Sequence, residues 1–145
     1  MPKMSRAITA IALATVFLAG PTTALDKNGN FESKAEQDAY IAETLKKMAR
    51  EMNSQMPIQL DEETRVMSVI ALQKTITFNY RLTNYSAAQV QPKRIEQVAR
   101  ENLNLIVCKS KATRDLIDMG VRYVYLYSGN DGKFVTRVVV DRYSC

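Results

Sequence analysis

Two hydrophobic periods divide the chain. After Ser33, apolar residues recur at helical spacing: Ile41, Leu45, Met48 and Met52 form one stripe, and Glu43, Lys46, Lys47 and Arg50 fall off it. Ser33-Lys-Ala-Glu36, just ahead of the stripe, matches a capping box, in which the Ser hydroxyl and the Glu carboxylate satisfy free N–H groups of the first turn. Asn53-Ser54 and Pro57 end this helix. Met48, Met52 and Met56 read as core filler rather than a soft binding strip. From Ile58 the period becomes two. Residues 64–71 are rich in β-branched types, and residues 75–83 alternate. Ile76, Phe78, Tyr80 and Leu82 fall on one face, and Thr75, Thr77, Asn79, Arg81 and Thr83 on the other. A short turn near Gln73-Lys74 joins these two strands.

The helical period returns after a polar connection, Asn84 to Gln91. Pro92 suits a first helical position, and Ile95, Val98, Ala99, Leu103 and Ile106 make a stripe running up to Cys108. Ser110 opens a shorter helix carrying Ala112, Leu116, Ile117 and Met119, with Gly120 where a helix-terminating left-handed residue belongs. Val121–Ser128 and Lys133–Tyr143 then read as a hairpin around Gly129-Asn-Asp-Gly132. With those four residues as the loop, Tyr127 faces Phe134, Tyr125 faces Thr136, Tyr123 faces Val138, and Val121 faces Val140. That apolar set packs against the helices. The other face carries Arg122, Val124, Leu126, Val135, Arg137, Val139 and Asp141. The pattern predicts an α+β domain: a four-stranded, largely antiparallel sheet with helices on one face, in the order α-β-β-α-α-β-β.

The N-terminus does not belong to that domain. Lys3 and Arg6 precede an uncharged, mostly apolar run from Ala7 to Gly20, shorter than the roughly 20 residues a spanning helix needs. Pro21 breaks the run, and Thr22-Thr23-Ala24 offers small residues for cleavage after Ala24. The expected organisation is a signal peptide over 1–24, a flexible lead-in over 25–32 and a single domain over 33–145, with no stable membrane insertion after cleavage. Cleavage removes Lys3 and Arg6 from a chain of formal charge +5, leaving +3. The remaining basic residues are dispersed, which argues against nucleic acid as a partner. The expected compartment is the periplasm or the exterior.

Composition then narrows the chemistry. The 145 residues contain no His. Ser-His and Cys-His nucleophile pairs and His-containing zinc sites are therefore excluded, and two Cys cannot form a four-thiolate zinc site. Neither GxGxxG nor GxxxxGK[ST] occurs. Cys108 and Cys145 are the only thiols, and in an oxidising compartment they form a disulfide, within the chain or, through an exposed Cys145, between chains. Within the chain, the bond closes a loop whose entropy is worth roughly 4 kcal/mol. Asp61-Glu62-Glu63 reads as a solvated loop, because neighbouring strand positions point to opposite faces. Glu96, Glu101, Asp115 and Asp118 read as solvated helix surface rather than a carboxylate pair for glycoside hydrolysis. Asn28-Gly-Asn30 and Asn130-Asp131 are turns, too short to supply calcium ligands. No enzyme activity, cofactor or metal is expected.

The outer sheet face most resembles a functional surface. It mixes Val124, Leu126, Val135 and Val139 with Arg81, Arg122 and Arg137, a composition common in protein-binding surfaces. The exported N-terminus, the amphipathic helix Ser33–Met52, the alternating strand Thr75–Thr83 and the Cys108/Cys145 pair around a Tyr-rich C-terminal hairpin give the chain a layout. It resembles small disulfide-bonded periplasmic proteins of Gram-negative bacteria, among them the α/β pilotins of type II secretion. Such a resemblance implies binding a helix of an outer-membrane secretin, without catalysis. The chain departs from the usual pilotin in lacking a lipid-anchoring Cys beside the signal. The functional expectation is an exported, non-catalytic protein-binding module, accessory to a secretion, envelope or virulence system, with another protein as its partner. The alternative is an inhibitor or immunity protein against an exported enzyme.

Overall fold

The computed structural model describes residues 26–145, so the expected signal peptide and its Ala24 cleavage point lie outside the described residues. Helix α1 spans Lys34–Asn53, short strand β1 Ile58–Gln59, β2 Thr64–Leu72 and β3 Thr75–Leu82. Helices α2 (Pro92–Lys109) and α3 (Lys111–Asp118) follow, then β4 (Arg122–Ser128) and β5 (Phe134–Val140). Ser33 caps α1, its hydroxyl accepting the Glu36 N–H at 3.1 Å. The Glu36 carboxylate accepts the N–H of Glu32 at 3.0 Å, one residue earlier than the capping box predicts. Gly120 terminates α3 at φ +92°, a conformation a Cβ disfavours. Before α1, the Asp26 carboxylate accepts the backbone N–H groups of Asn28 and Asn30, and the Phe31 ring lies 5.3 Å from that of Tyr40.

The sheet corrects two expectations. It has five strands, not four, in the order β1-β2-β3-β4-β5, and the central pair β3–β4 is parallel. β1 pairs with β2 through only two residues, too few to leave a clear period in the sequence. The parallel pair follows from the connection. Residues 83–121 leave β3, pass through α2 and α3, and return to start β4 alongside it, a crossover no tight hairpin could make. The other pairs are antiparallel.

All three helices contribute to one core on one face of this sheet. Ile41, Leu45 and Ala49 of α1, Ala99, Leu103 and Val107 of α2, and Ile117 of α3 meet Ile76, Tyr125, Val138 and Val140 of the strands. Packed aromatic rings line the parallel seam. Phe78 stacks on Tyr125 at 5.1 Å, and Tyr80 sits edge-on to Tyr127 at 5.2 Å.

Two register shifts set which side chains join the core. In β2 the shift falls between Val66 and Ser68, so Val66 and Val69 both turn inward although strict alternation separates them. In the C-terminal hairpin, Tyr127 faces Thr136, Tyr125 faces Val138 and Tyr123 faces Val140, two residues away from the predicted pairing. The shift between Tyr127 and Ser128 places Ser128 opposite Phe134 and leaves Val135 as the extra residue. A two-residue slip keeps each side chain on its face, so the tyrosines and Thr136, Val138 and Val140 still point to the helices. The bulge exchanges its own neighbours: Phe134 is 66 % exposed and Val135 is buried in the core cluster.

The disulfide joins Cys108 in the last turn of α2 to Cys145, beyond the end of β5, with 5.4 Å between their Cα atoms.

Candidate functional site

Two surfaces remain for contact after the core is closed. The first is a groove on the helical side. α2 contacts β5, α1 contacts β2, and between them lies a floor formed by the half-buried Tyr80 and the buried Leu82 and Tyr127. α2 supplies one wall through Ile95, Val98 and Ile106; the segment Leu60–Thr64 supplies the other. The groove encloses about 820 Å³. Its α2 wall is wider than the core requires. Ala99, Leu103 and Val107 already bury the helix, yet Val98, Leu105 and Ile106 stay 51 %, 53 % and 67 % exposed. Sequence reasoning assigned Val98 and Ile106 to the core-facing stripe. The signal was present, since α2 carries more apolar positions than one buried face uses.

Charge marks the opposite lip. Asp61, Glu62 and Glu63 line it, and the Tyr85 hydroxyl donates to Glu63 Oε1 at 3.3 Å. The loop is solvated, as its sequence implies, and it also forms an acidic wall. Burial raises the Tyr80 phenol to about 12 and raises Tyr127 as well, with Tyr80 and Asp61 adding to the shift at Tyr127. Both floor tyrosines are therefore neutral at any physiological pH. The groove is an apolar trough with one acidic edge.

The second surface is the open sheet face, and it gathers most of the residues singled out in the sequence. Reading across the strands, Arg65, Arg81, Ser128 and Phe134 form one row. Asn79, Leu126 and Arg137 form the next; Ile70, Thr77, Val124 and Val139 the third; and Leu72, Thr75 and Arg122 the last. Arg81, Arg122, Val124, Leu126, Arg137 and Val139 thus share a face that no described helix covers. Val135 is the correction: the bulge turns it into the core.

Catalytic geometry does not assemble from the carboxylates considered. Glu96, Asp115 and Asp118 each pair with a basic residue one helical turn away, to Arg100 at 2.8 Å, Lys111 at 2.7 Å and Arg114 at 3.1 Å. Glu101 accepts from Gln97. Among the described residues no cluster of His, Cys, Asp or Glu has a metal-binding arrangement. A polar hollow near the end of α3 is lined by Lys74, Arg122 and Asp141. Of these, Lys74 pairs with Asp38 at 2.8 Å and Arg122 meets Asp141 at 3.9 Å.

No protein-family model matches the sequence, and no curated protein matches it. Solved structures do. The type II secretion system pilotin AspS from Vibrio cholerae superposes with a TM-score of 0.60 at 16 % identity, covering 77 % of this chain and 97 % of that one. The pilotin EpsS of the Vibrio vulnificus type 2 secretion system gives 0.64 at 18 % identity, over 77 % and 96 %. A protein of Pseudomonas aeruginosa described as secreted gives 0.62 at 18 % identity, over 75 % and 96 %. At these identities the likeness establishes the shared fold.

Proposed function

We propose that this protein is a pilotin-like accessory of a bacterial secretion system, acting outside the cytoplasm by binding a partner protein without catalysis. The observation that carries the reading is the groove, combined with a fold shared over nearly the whole length of two pilotins. A trough walled by the exposed Val98 and Ile106 and floored by Tyr80 and Tyr127 fits an amphipathic helix, whose apolar side chains recur on one face at i, i+3, i+4 and i+7. The acidic lip selects a helix bearing Lys or Arg beside its apolar stripe. The partner is a helical segment of the outer-membrane secretin. No described helix is long and apolar enough to cross a membrane, consistent with a protein that meets its partner from the aqueous side. No observation favours the inhibitor reading.

The test is co-purification from the periplasm of the source bacterium. Tagged protein is expected to retain the secretin, and an Ile106→Glu variant, altered at an exposed site and therefore still folded, is expected to release it. Retention of the secretin by the folded variant contradicts the groove as the site. Failure of the unaltered protein to retain any secretin contradicts the secretion role.

A further inference from the structure

The open sheet face carries an imbalance that the groove does not explain. Its strand positions hold four arginines, Arg65, Arg81, Arg122 and Arg137, and no acidic residue. Asp141, just past β5, meets Arg122 at 3.9 Å. Among the described residues Arg65, Arg81 and Arg137 have no carboxylate within 4 Å, whereas seven ion pairs form away from this face. Arg65 and Arg81 face each other directly across β2 and β3, a destabilising placement for like charges. The Arg81 Nε–H is shielded from solvent and has no acceptor. Such a group normally finds a partner, because a shielded donor left without an acceptor has lost its hydrogen bond to water and gained none in return.

Between the arginines lies an apolar centre. Val124 is 5 % exposed, and Leu126 and Val139 are half-buried. Ile70 is exposed at its edge. With strands about 4.8 Å apart and alternate residues about 6.8 Å apart, the patch spans about 14 by 20 Å. A recessed apolar centre with a charged rim is the composition of a protein interface. A guanidinium presents a planar fork that matches a carboxylate through two parallel hydrogen bonds.

We infer that this face is a second docking surface, separate from the groove, and that it receives an acidic protein segment: carboxylates meeting Arg81 and Arg137, with apolar side chains seated over Val124 and Leu126. A second copy of the chain fits poorly, because a two-fold contact sets arginine against arginine. A lipid surface also fits poorly, because the central apolar side chains are recessed and have nothing to insert.

The experiment compares two synthetic helical peptides of equal length and identical leucine spacing, one flanked by Glu and the other by Lys. Each is titrated into the isotope-labelled, oxidised protein, with amide shifts recorded by NMR. The Glu peptide is expected to shift amides of β3, β4 and β5. Its affinity is expected to fall about tenfold or more in Arg137→Glu and in Arg81→Glu, and to weaken as salt rises. Arg137 is exposed, so its variant remains informative even where Arg81→Glu perturbs folding. Equal binding of both peptides overturns the proposal, as do shifts confined to α2 and residues 60–64. Co-sedimentation with phosphatidylglycerol vesicles without peptide binding assigns the face to a membrane instead, and concentration-dependent dimerisation lost in Arg137→Glu assigns it to a second copy. Because these readouts do not involve the secretin, they fail or succeed independently of the groove reading.

Discussion

Asn53 ends α1 and also serves the sheet. Its side-chain amide donates to the Val69 carbonyl at 2.7 Å, and its Oδ1 accepts the Val69 N–H at 2.8 Å. β1 covers β2 only at Arg65 and Val66, so beyond that point the edge of β2 lacks a strand neighbour. Asn53 supplies both missing partners with one planar group and blunts the edge against pairing with another chain. Asn53→Ala is expected to lower unfolding free energy by about 1–3 kcal/mol in urea titration, since it strands a partly buried donor and acceptor. An unchanged midpoint contradicts that role. The sequence showed Asn53 as a helix stop and nothing more, because its partner lies sixteen residues away on another element. Ser33, by contrast, was legible with its hydrogen bond, because the cap and its acceptor geometry are local.

At the scale of elements, local signals and the two antiparallel hairpins held, while the register of the C-terminal hairpin and the direction of the β3–β4 pair did not. The helix around Ile41 and Leu45, the alternation from Ile76 to Leu82 and the terminator Gly120 each express a local preference of the chain, and each stands where the sequence put it. The hairpin register depended on one bulge, and nothing in the sequence GNDG fixes a bulge beside it. The two neighbours at that bulge give a direct check. Val135→Asp places a charge in the core and is expected to cost about 3 kcal/mol or more or to abolish folding, whereas Phe134→Asp is expected to change stability by about 0.5 kcal/mol or less. The reverse order restores the register predicted from the sequence. The aromatic seam between β3 and β4 makes a second prediction. Burial raises the phenols of Tyr80, Tyr125 and Tyr127, so the folded state keeps protons that the unfolded chain loses above about 10. Their contribution is complete below that pH and is lost as pH rises toward about 12, the folded value of Tyr80. Alkaline unfolding followed by circular dichroism should therefore coincide with the appearance of tyrosinate absorbance. Ionisation of these tyrosines in a protein that stays folded at pH 11 contradicts their burial.

For the whole molecule, the disulfide and the parallel crossover act together. The segment from β3 to β4 docks two helices on the sheet, and the Cys108–Cys145 bond ties the middle of that excursion to the end of β5. Replacing both cysteines by Ser is expected to cost about 2–5 kcal/mol, measured as a lower denaturant midpoint. The sequence revealed the α+β class and the cysteine pair, but it gave no sign that β3 and β4 run parallel. Hydrophobic period reports which face a strand buries and is silent about the direction of its neighbour. Of the groove it showed only the surplus apolar positions of α2, and not that α2 and residues 60–64 stand apart over Tyr80 and Tyr127. The proposed role of this groove is to hold a helix of the secretin. The most direct measurement is calorimetric titration of overlapping secretin peptides into the oxidised protein and into its Ile106→Glu and Val98→Asp variants, with circular dichroism verifying that each is folded. One basic, amphipathic peptide is expected to bind the unaltered protein and to lose about a hundredfold in affinity with either variant. Undiminished binding to both variants, or no binding by any secretin peptide, contradicts the claim.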